Sequence, residues 1–146
     1  MLLNDLETLG FLFEALCERD LKIYAEAIGA NLYHYQDYAN KEIDAVIELN
    51  DGRWCAIEIK LGANQIEETA NNLINIYNDI AKDPHAKLLS MMCIICGLSN
   101  AAYQRDDDIF VVPITALKDE SHKNRIAKIL FSDCRSFCQQ SEQKGL

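Results

Sequence analysis

The chain has 146 residues and a net charge of −9, with 49% hydrophobic and 25% charged residues, and the expectation is a single domain over residues 1–146 with one core. That acidity argues against a broad electrostatic footprint for nucleic acid. No apolar run approaches the ~20 residues that span a bilayer, and the opening MLLNDLETLG lacks the basic flank of a secretory leader, so a cytoplasmic protein with reduced thiols and no membrane partner is expected.

Residues 4–28 read as a helix, with Arg19-Asp20 as a candidate break. Leu6, Leu9, Phe13, Leu16, Cys17 and Tyr24 supply its apolar stripe, and Gly29 is a natural stop. The aromatic stretch NLYHYQDY begins a first strand. EIDAVIEL follows, with Ile43, Ala45, Ile47 and Leu49 on one face, then RWCAIEIKL, with Cys55, Ile57, Ile59 and Leu61 on its apolar face. A helix opens at Asn64, whose spacing to Glu67 is that of a capping box. Its stripe is Ile66, Ala70, Leu73, Ile74, Tyr77 and Ile80, and Pro84 ends it by about residue 82. LLSMMCIIC is continuously apolar, as a central strand covered on both faces should be. IFVVP is a shorter strand, and a last helix is expected over 121–138. The order implies an α/β fold: a mixed sheet flanked by helices, in an α-βββ-α-β core with a C-terminal helix.

Cys93 and Cys96 lie three apart on a strand and so point to opposite faces, a poor chelating geometry. Cys134 and Cys138 are i,i+4 on the terminal helix. All four read best as small buried hydrophobes.

The turn Asn50-Asp51-Gly52 fixes more than it first suggests. A two-residue loop would oppose Asp44 and Ile59 and mix the faces of both strands. A three-residue loop pairs 49 with 53 and 46 with 56, keeps the apolar faces together, and puts Gly52 at the left-handed position such loops require. Residue 44 then falls opposite 58, and 42 opposite 60. Asp44 facing Glu58 is repulsive, by up to about 1 kcal/mol on an exposed sheet and more if a helix covers that face. Lys60 relieves part of this. A divalent cation held by both carboxylates would relieve more, since Mg²⁺ takes carboxylate oxygens and keeps waters for chemistry. Glu14, inside the apolar run GFLFEAL, is a second acid in hydrophobic company. A first helix packed on the sheet would bring it toward the Asp44–Glu58 pair.

Asp44, a gap of thirteen residues, and then Glu58-Ile59-Lys60, with a helical glutamate upstream at Glu14, resemble the PD-(D/E)XK nuclease superfamily, whose restriction-endonuclease-like fold has a similar element order. The closer resemblance is to a domain of unknown function at the C-terminus of bacterial and archaeal AAA-type ATPases. There, G-x-L-F-E in a helix, an aromatic strand, E-x-D and E-x-K follow in order. Here these are Gly10 to Glu14, LYHYQD, Glu42-Ile43-Asp44 and Glu58-Ile59-Lys60, and the match covers roughly residues 8–115. Two features depart from the pattern: Ile43 stands where the signature proline would be, and Gln36 where ATPase relatives often carry arginine. No phosphate-binding G-x-x-x-x-G-K-[ST] loop occurs, so the expectation is either an excised domain or a free-standing relic, with an ATPase module or partner implied by the resemblance.

The resemblance implies Mg²⁺ or Mn²⁺ held by Asp44, Glu58 and the carbonyl of Ile59, with Glu14 as a further or water-mediated ligand. Lys60 would orient water or stabilise developing charge. The implied activity is metal-assisted phosphodiester hydrolysis of nucleic acid. Taken alone, Glu58 and Lys60 also fit an exposed strand face with a Glu42–Lys60 cross-strand pair. A non-catalytic DNA-binding or protein-interaction module of the same fold, working beside an ATPase, is the alternative. The acidity and Gln36 favour that alternative, and the intact Asp, Glu and Lys set favours the nuclease.

Overall fold

The first helix, α1 (Leu2–Ala27), is continuous through the candidate break. Arg19 and Asp20 tolerate the helix because they turn to each other at its surface, at 3.2 Å, while Phe13, Cys17, Leu21 and Ala25 bury a strict i,i+4 stripe. Leu6 and Leu9 do not join it and remain about half exposed. Helix α1 stops in a Schellman motif. Gly29 takes φ +71°, its N–H donates to the Glu26 carbonyl, and the Ala30 N–H donates to the Ala25 carbonyl, which satisfies the terminal carbonyls.

The computed structural model describes residues 2–113. The helix expected at 121–138, with Cys134 and Cys138, lies outside them, as does the C-terminal part of the expected 1–146 domain. No described helix is long and apolar enough to cross a membrane.

Six strands follow: β1 (Asn31–Gln36), β2 (Glu42–Glu48), β3 (Trp54–Lys60), β4 (Leu89–Cys96), β5 (Tyr103–Gln104) and β6 (Phe110–Pro113), with α2 (Ile66–Ile80) between β3 and β4. They form one mixed sheet in the order β1-β2-β3-β4-β6-β5. The pairs β1–β2, β2–β3 and β5–β6 are antiparallel, whereas β3–β4 and β4–β6 are parallel. Helix α2 is thus the crossover that a parallel β3–β4 pair demands. The two-residue β5 adds an edge strand too short to leave a periodic signal.

Three hairpins share one loop design. In each, the residue before the loop donates its N–H to the carbonyl of the residue after it: Asp37 to Lys41, Leu49 to Arg53, Arg105 to Ile109. The third loop residue then donates back to the first flank and takes a left-handed backbone: Asn40 at φ 57°, Gly52 at 86°, Asp108 at 63°. Asn, Gly and Asp are the residues that reach this region at least cost.

The β2–β3 register is the one the apolar pattern selects: Ala45 with Ile57, Val46 with Ala56, Ile47 with Cys55, Glu48 with Trp54. Helix α2 covers the face of the even-numbered β3 residues. Ile66, Ala70, Leu73 and Ile76 cluster there with Trp54, Ala56, Ile94 and Cys96. The odd-numbered residues Cys55, Ile57 and Ile59 are as deeply buried, on the opposite face. Among the described residues, Cys17, Cys55, Cys93 and Cys96 are buried and form no disulfide. Burial pushes the Cys93 thiol up to about 12, as expected of packing rather than reactive cysteines.

The expected capping box at Asn64 does not form. The chain enters α2 through a 3₁₀ turn at Ala63–Gln65 with no side-chain cap, and α2 itself begins at Ile66.

Candidate functional site

Regular pairing of β2 stops where the charges begin. On its β1 side, Tyr33 pairs with Val46 but Tyr35 pairs with Ile43. One residue, His34, therefore faces two, Asp44 and Ala45, which is a β-bulge in β2. On the β3 side the register ends at Ala45–Ile57. The next backbone donor of β3 that faces β2, the Ile59 N–H, is taken instead by the Asp44 side chain, Oδ2 at 2.8 Å. Asp44 thus fills the gap that its own strand leaves. The Ile59 carbonyl points to the same strand edge, because in an extended strand a residue's N–H and C=O share a direction.

Glu58 projects from β3 into this gap and is only 7% exposed. Its carboxyl and that of Asp44 converge on the same ammonium, that of Lys60. Burial first, then the Asp44 charge, push Glu58 up to about 8, against the opposing pull of Lys60. Crowding of two carboxyl groups in a buried setting thus favours the protonated form of Glu58 well above the ordinary carboxylate range. The Lys60 ammonium stands 3.4 Å from Glu58 Oε2 and 3.9 Å from Asp44 Oδ2. Burial works against its charge, but Asp44 and then Glu58 outweigh burial and raise the Lys60 pKa.

Glu42 does not pair with Lys60 across the hairpin. The bulge lies between Glu42 and the regular ladder, and Glu42 turns instead to His34, with Nε2 to Oε2 at 3.4 Å. The other ring nitrogen of His34 lies 3.3 Å from the Asp44 carbonyl. Glu14 is half-buried on α1. Its pKa is raised by burial and then by Asp44, Glu18 and Glu42, and pulled down by Lys60, so it shares the electrostatic environment of the site. Among the described residues, no three His, Cys, Asp or Glu side chains come together as a metal-holding group.

The family model for DUF4143, a domain of unknown function, matches residues 9–117. The chain belongs to the DUF4143 family. Glu14, Asp44, Glu58 and Lys60 all lie inside the matched span. No curated protein matches the chain, and no solved structure does.

In this DUF4143 domain the site opens into a cleft of about 690 Å³ between the open end of β2–β3 and the exposed side of α2. Asp44, Glu58 and Lys60 all line it. The expected site residues omit the opposite wall, which is the polar side of α2, Thr69, Asn72, Asn75 and Asp79, continued by Lys82 just past its end. Their spacing of three, three, four and three puts them on one face of a helix. That spacing shows in the sequence as a polar helix face, which by itself does not tell a cleft wall from a solvated surface. Thr69 is only 4% exposed, which marks the depth to which this polar wall reaches. Gln65 is exposed, while Tyr77 packs against the apolar cluster under α2.

Proposed function

We propose that this DUF4143 domain is a divalent-metal-dependent phosphodiesterase of the restriction-endonuclease-like, PD-(D/E)XK type, acting on nucleic acid. The observation that carries the reading is the convergence of two carboxyl groups, Asp44 and buried Glu58, on the Lys60 ammonium inside one cleft. Protonation is one relief for two crowded carboxylates. A hard divalent cation is the other solution to the same problem, because it takes carboxylate oxygens in the proton's stead.

The donors present fit Mg²⁺ or Mn²⁺. Asp44 and Glu58 supply anionic oxygens, and the Ile59 carbonyl is directed to the same edge. Two carboxylates with waters and substrate completing the shell is how Mg²⁺ is usually held. When bound, such an ion lowers the pKa of water and neutralises phosphate charge. The rest falls to the chain's own residues. Asp44 is oriented by the Ile59 amide, so its free oxygen is presented in a fixed direction. Lys60 stays charged and is placed to orient a water or to neutralise charge developing on phosphorus. Glu14, whose pKa is raised by burial and then by Asp44, stands as a water-mediated helper. The element order and the association of the resembled domain with AAA-type ATPases support the same reading, and an ATPase is the partner it implies.

One observation favours a second reading, a non-catalytic nucleic-acid or protein-binding module. Lys60 already pairs with both carboxylates, and among the described residues no third acidic or imidazole ligand joins them. Titration with Mn²⁺ followed by electron paramagnetic resonance separates the two. Catalytic competence requires Mn²⁺ binding that Asp44→Ala abolishes, together with Mn²⁺-dependent nicking of DNA or RNA that Lys60→Ala loses. Mn²⁺ binding that is unchanged in Asp44→Ala sinks the metal site. Equal cleavage by wild type and Lys60→Ala sinks the mechanism.

A further inference from the structure

The mouth of the cleft carries a second charged cluster, built from two separate elements. Lys41, at the end of the β1–β2 loop, and Lys82, just past α2, both donate to the single carboxylate of Asp79, at 2.5 and 2.7 Å. The backbone of Lys41 is fixed by Asp37, whose Oδ1 accepts the N–H groups of Ala39 and Lys41 at 2.8 and 2.9 Å. Lys41, Asp79 and Lys82 line the same cleft as Asp44, Glu58 and Lys60. Of the five lysines among residues 4–113, three line this one cleft. The cleft also holds Glu42, Asp44, Glu58 and Asp79, and at its mouth two of the lysines converge on one carboxylate, the arrangement by which two cations hold an anion.

We infer that the Lys41–Asp79–Lys82 bridge is a phosphate gate: the two ammoniums bind a backbone phosphate of a single-stranded nucleic acid, and Asp79 occupies that position until the strand arrives. This rests on the phosphodiester reading above and adds to it a second phosphate position and a strand class. Asp79 is a fitting stand-in. Hydrogen bonds from Lys41 and then Lys82 hold its carboxyl down to about 2, so it remains an anion with two oxygens offered to two donors, as a phosphate would be.

The geometry favours one strand over two. The cleft's volume, about 690 Å³, is that of a small-ligand pocket, too small to enclose a duplex between its walls. From Thr69 to Asp79 the polar wall runs about 15 Å along the helix at 1.5 Å per residue. That length exceeds one phosphate-to-phosphate step of a strand, whose rise is about 3.4 Å when stacked in a duplex and larger when extended. A strand can therefore place one phosphate at the gate and another over the acid pair. Between them, Asn72 and Asn75 offer neutral amides, which donate and accept without a demand for charge.

The test is fluorescence anisotropy of a short labelled oligothymidylate on the full chain in EDTA, where no cleavage occurs. Asp79→Asn keeps the shape and frees both lysines, and surface ion pairs of this kind contribute little to folding. The variant should bind the strand about 2- to 5-fold more tightly than wild type, the scale on which an exposed ion pair competes. Lys41→Ala and Lys82→Ala should each weaken binding and reduce the slope of log affinity against log salt by about 0.7. Equal or weaker binding by Asp79→Asn, or unchanged slopes in both lysine variants, overturns the gate. A duplex bound as tightly as the single strand overturns the strand assignment. A polyglutamate peptide that gains equally from Asp79→Asn reassigns the gate to an acidic protein partner. Mn²⁺ binding by Asp79→Asn is read separately. Its absence in both wild type and variant would remove the catalytic reading while leaving the gate result intact.

Discussion

At the turn end of the β2–β3 hairpin, four consecutive pairs from Ala45–Ile57 to Glu48–Trp54 keep perfect register, and the side chains between the sheet and its helices are apolar. At the open end, a few residues along the same strands, a bulge and an early end to pairing bring Asp44, Glu58 and Lys60 into one buried cluster. The turn end is where the sequence states its fold. The open end is where backbone regularity gives way so that three charged groups can be desolvated together. Buried charge is accommodated by a backbone that bends to it, with the Ile59 amide, Lys60 and the favoured protonation of Glu58 each taking part of the load.

The contrast can be broken most severely at the turn end. Ile57 is fully buried, and Ile57→Ala should lose about 2–5 kcal/mol of stability in urea denaturation while leaving the charge cluster's pH response in place. The open end should reveal itself through pH. Glu58 is protonated in the folded chain up to about 8 but ionises in the unfolded chain near its ordinary 4.5. Between those values the unfolded state binds fewer protons, so metal-free stability should fall as pH rises through the window. Glu58→Gln should flatten that slope, and a slope unchanged by the substitution would refute the raised Glu58 pKa. Saturating Mn²⁺ should oppose the decline, because binding requires the ionised carboxylate.

A smaller effect is expected at the turn itself. At Gly52, φ is 86° and an added Cβ meets nothing within 4 Å, so Gly52→Ala should cost about 1–2 kcal/mol through backbone strain alone. Asn40→Gly and Asp108→Gly, at the matching positions of the other two loops, should be close to neutral. Least of all, Arg53→Ala removes the 2.7 Å pair with Asp51 and should shift stability by about 1 kcal/mol at most. A larger loss would mean that the loop's charges, and not its glycine, set the register.

The regular half of the molecule was legible because it follows period. Alternating apolar residues and Gly52 fix the hairpin register, and the i,i+4 stripe of α2 and the unbroken run of β4 place the crossover. That register also brings Asp44, Glu58 and Lys60 together. The bulge was not legible. It is set by how β1 pairs with β2 around His34, and no residue type in EIDAV announces an extra position. Glu42 therefore reads as a partner for Lys60 when its partner is His34. The apolar stripe of α1 was misjudged at Leu6 and Leu9 because helical spacing says which residues share a face, not how far along the helix its neighbours extend. The polar wall of α2 went unread for a related reason: a solvated helix face and a cleft wall have the same composition, and only the strands opposite distinguish them.

The bulge has one further consequence. The position of Asp44 depends on a count of residues rather than on any one side chain. Deleting Ala45 would restore one-to-one pairing between β1 and β2 and turn Asp44 toward the opposite face of the sheet. Every acidic and basic residue of the site would survive, and the site would not. A change in strand length of a single residue is therefore a route by which a chain of this kind can keep its fold and lose the convergence of Asp44, Glu58 and Lys60, with all three still present in the sequence.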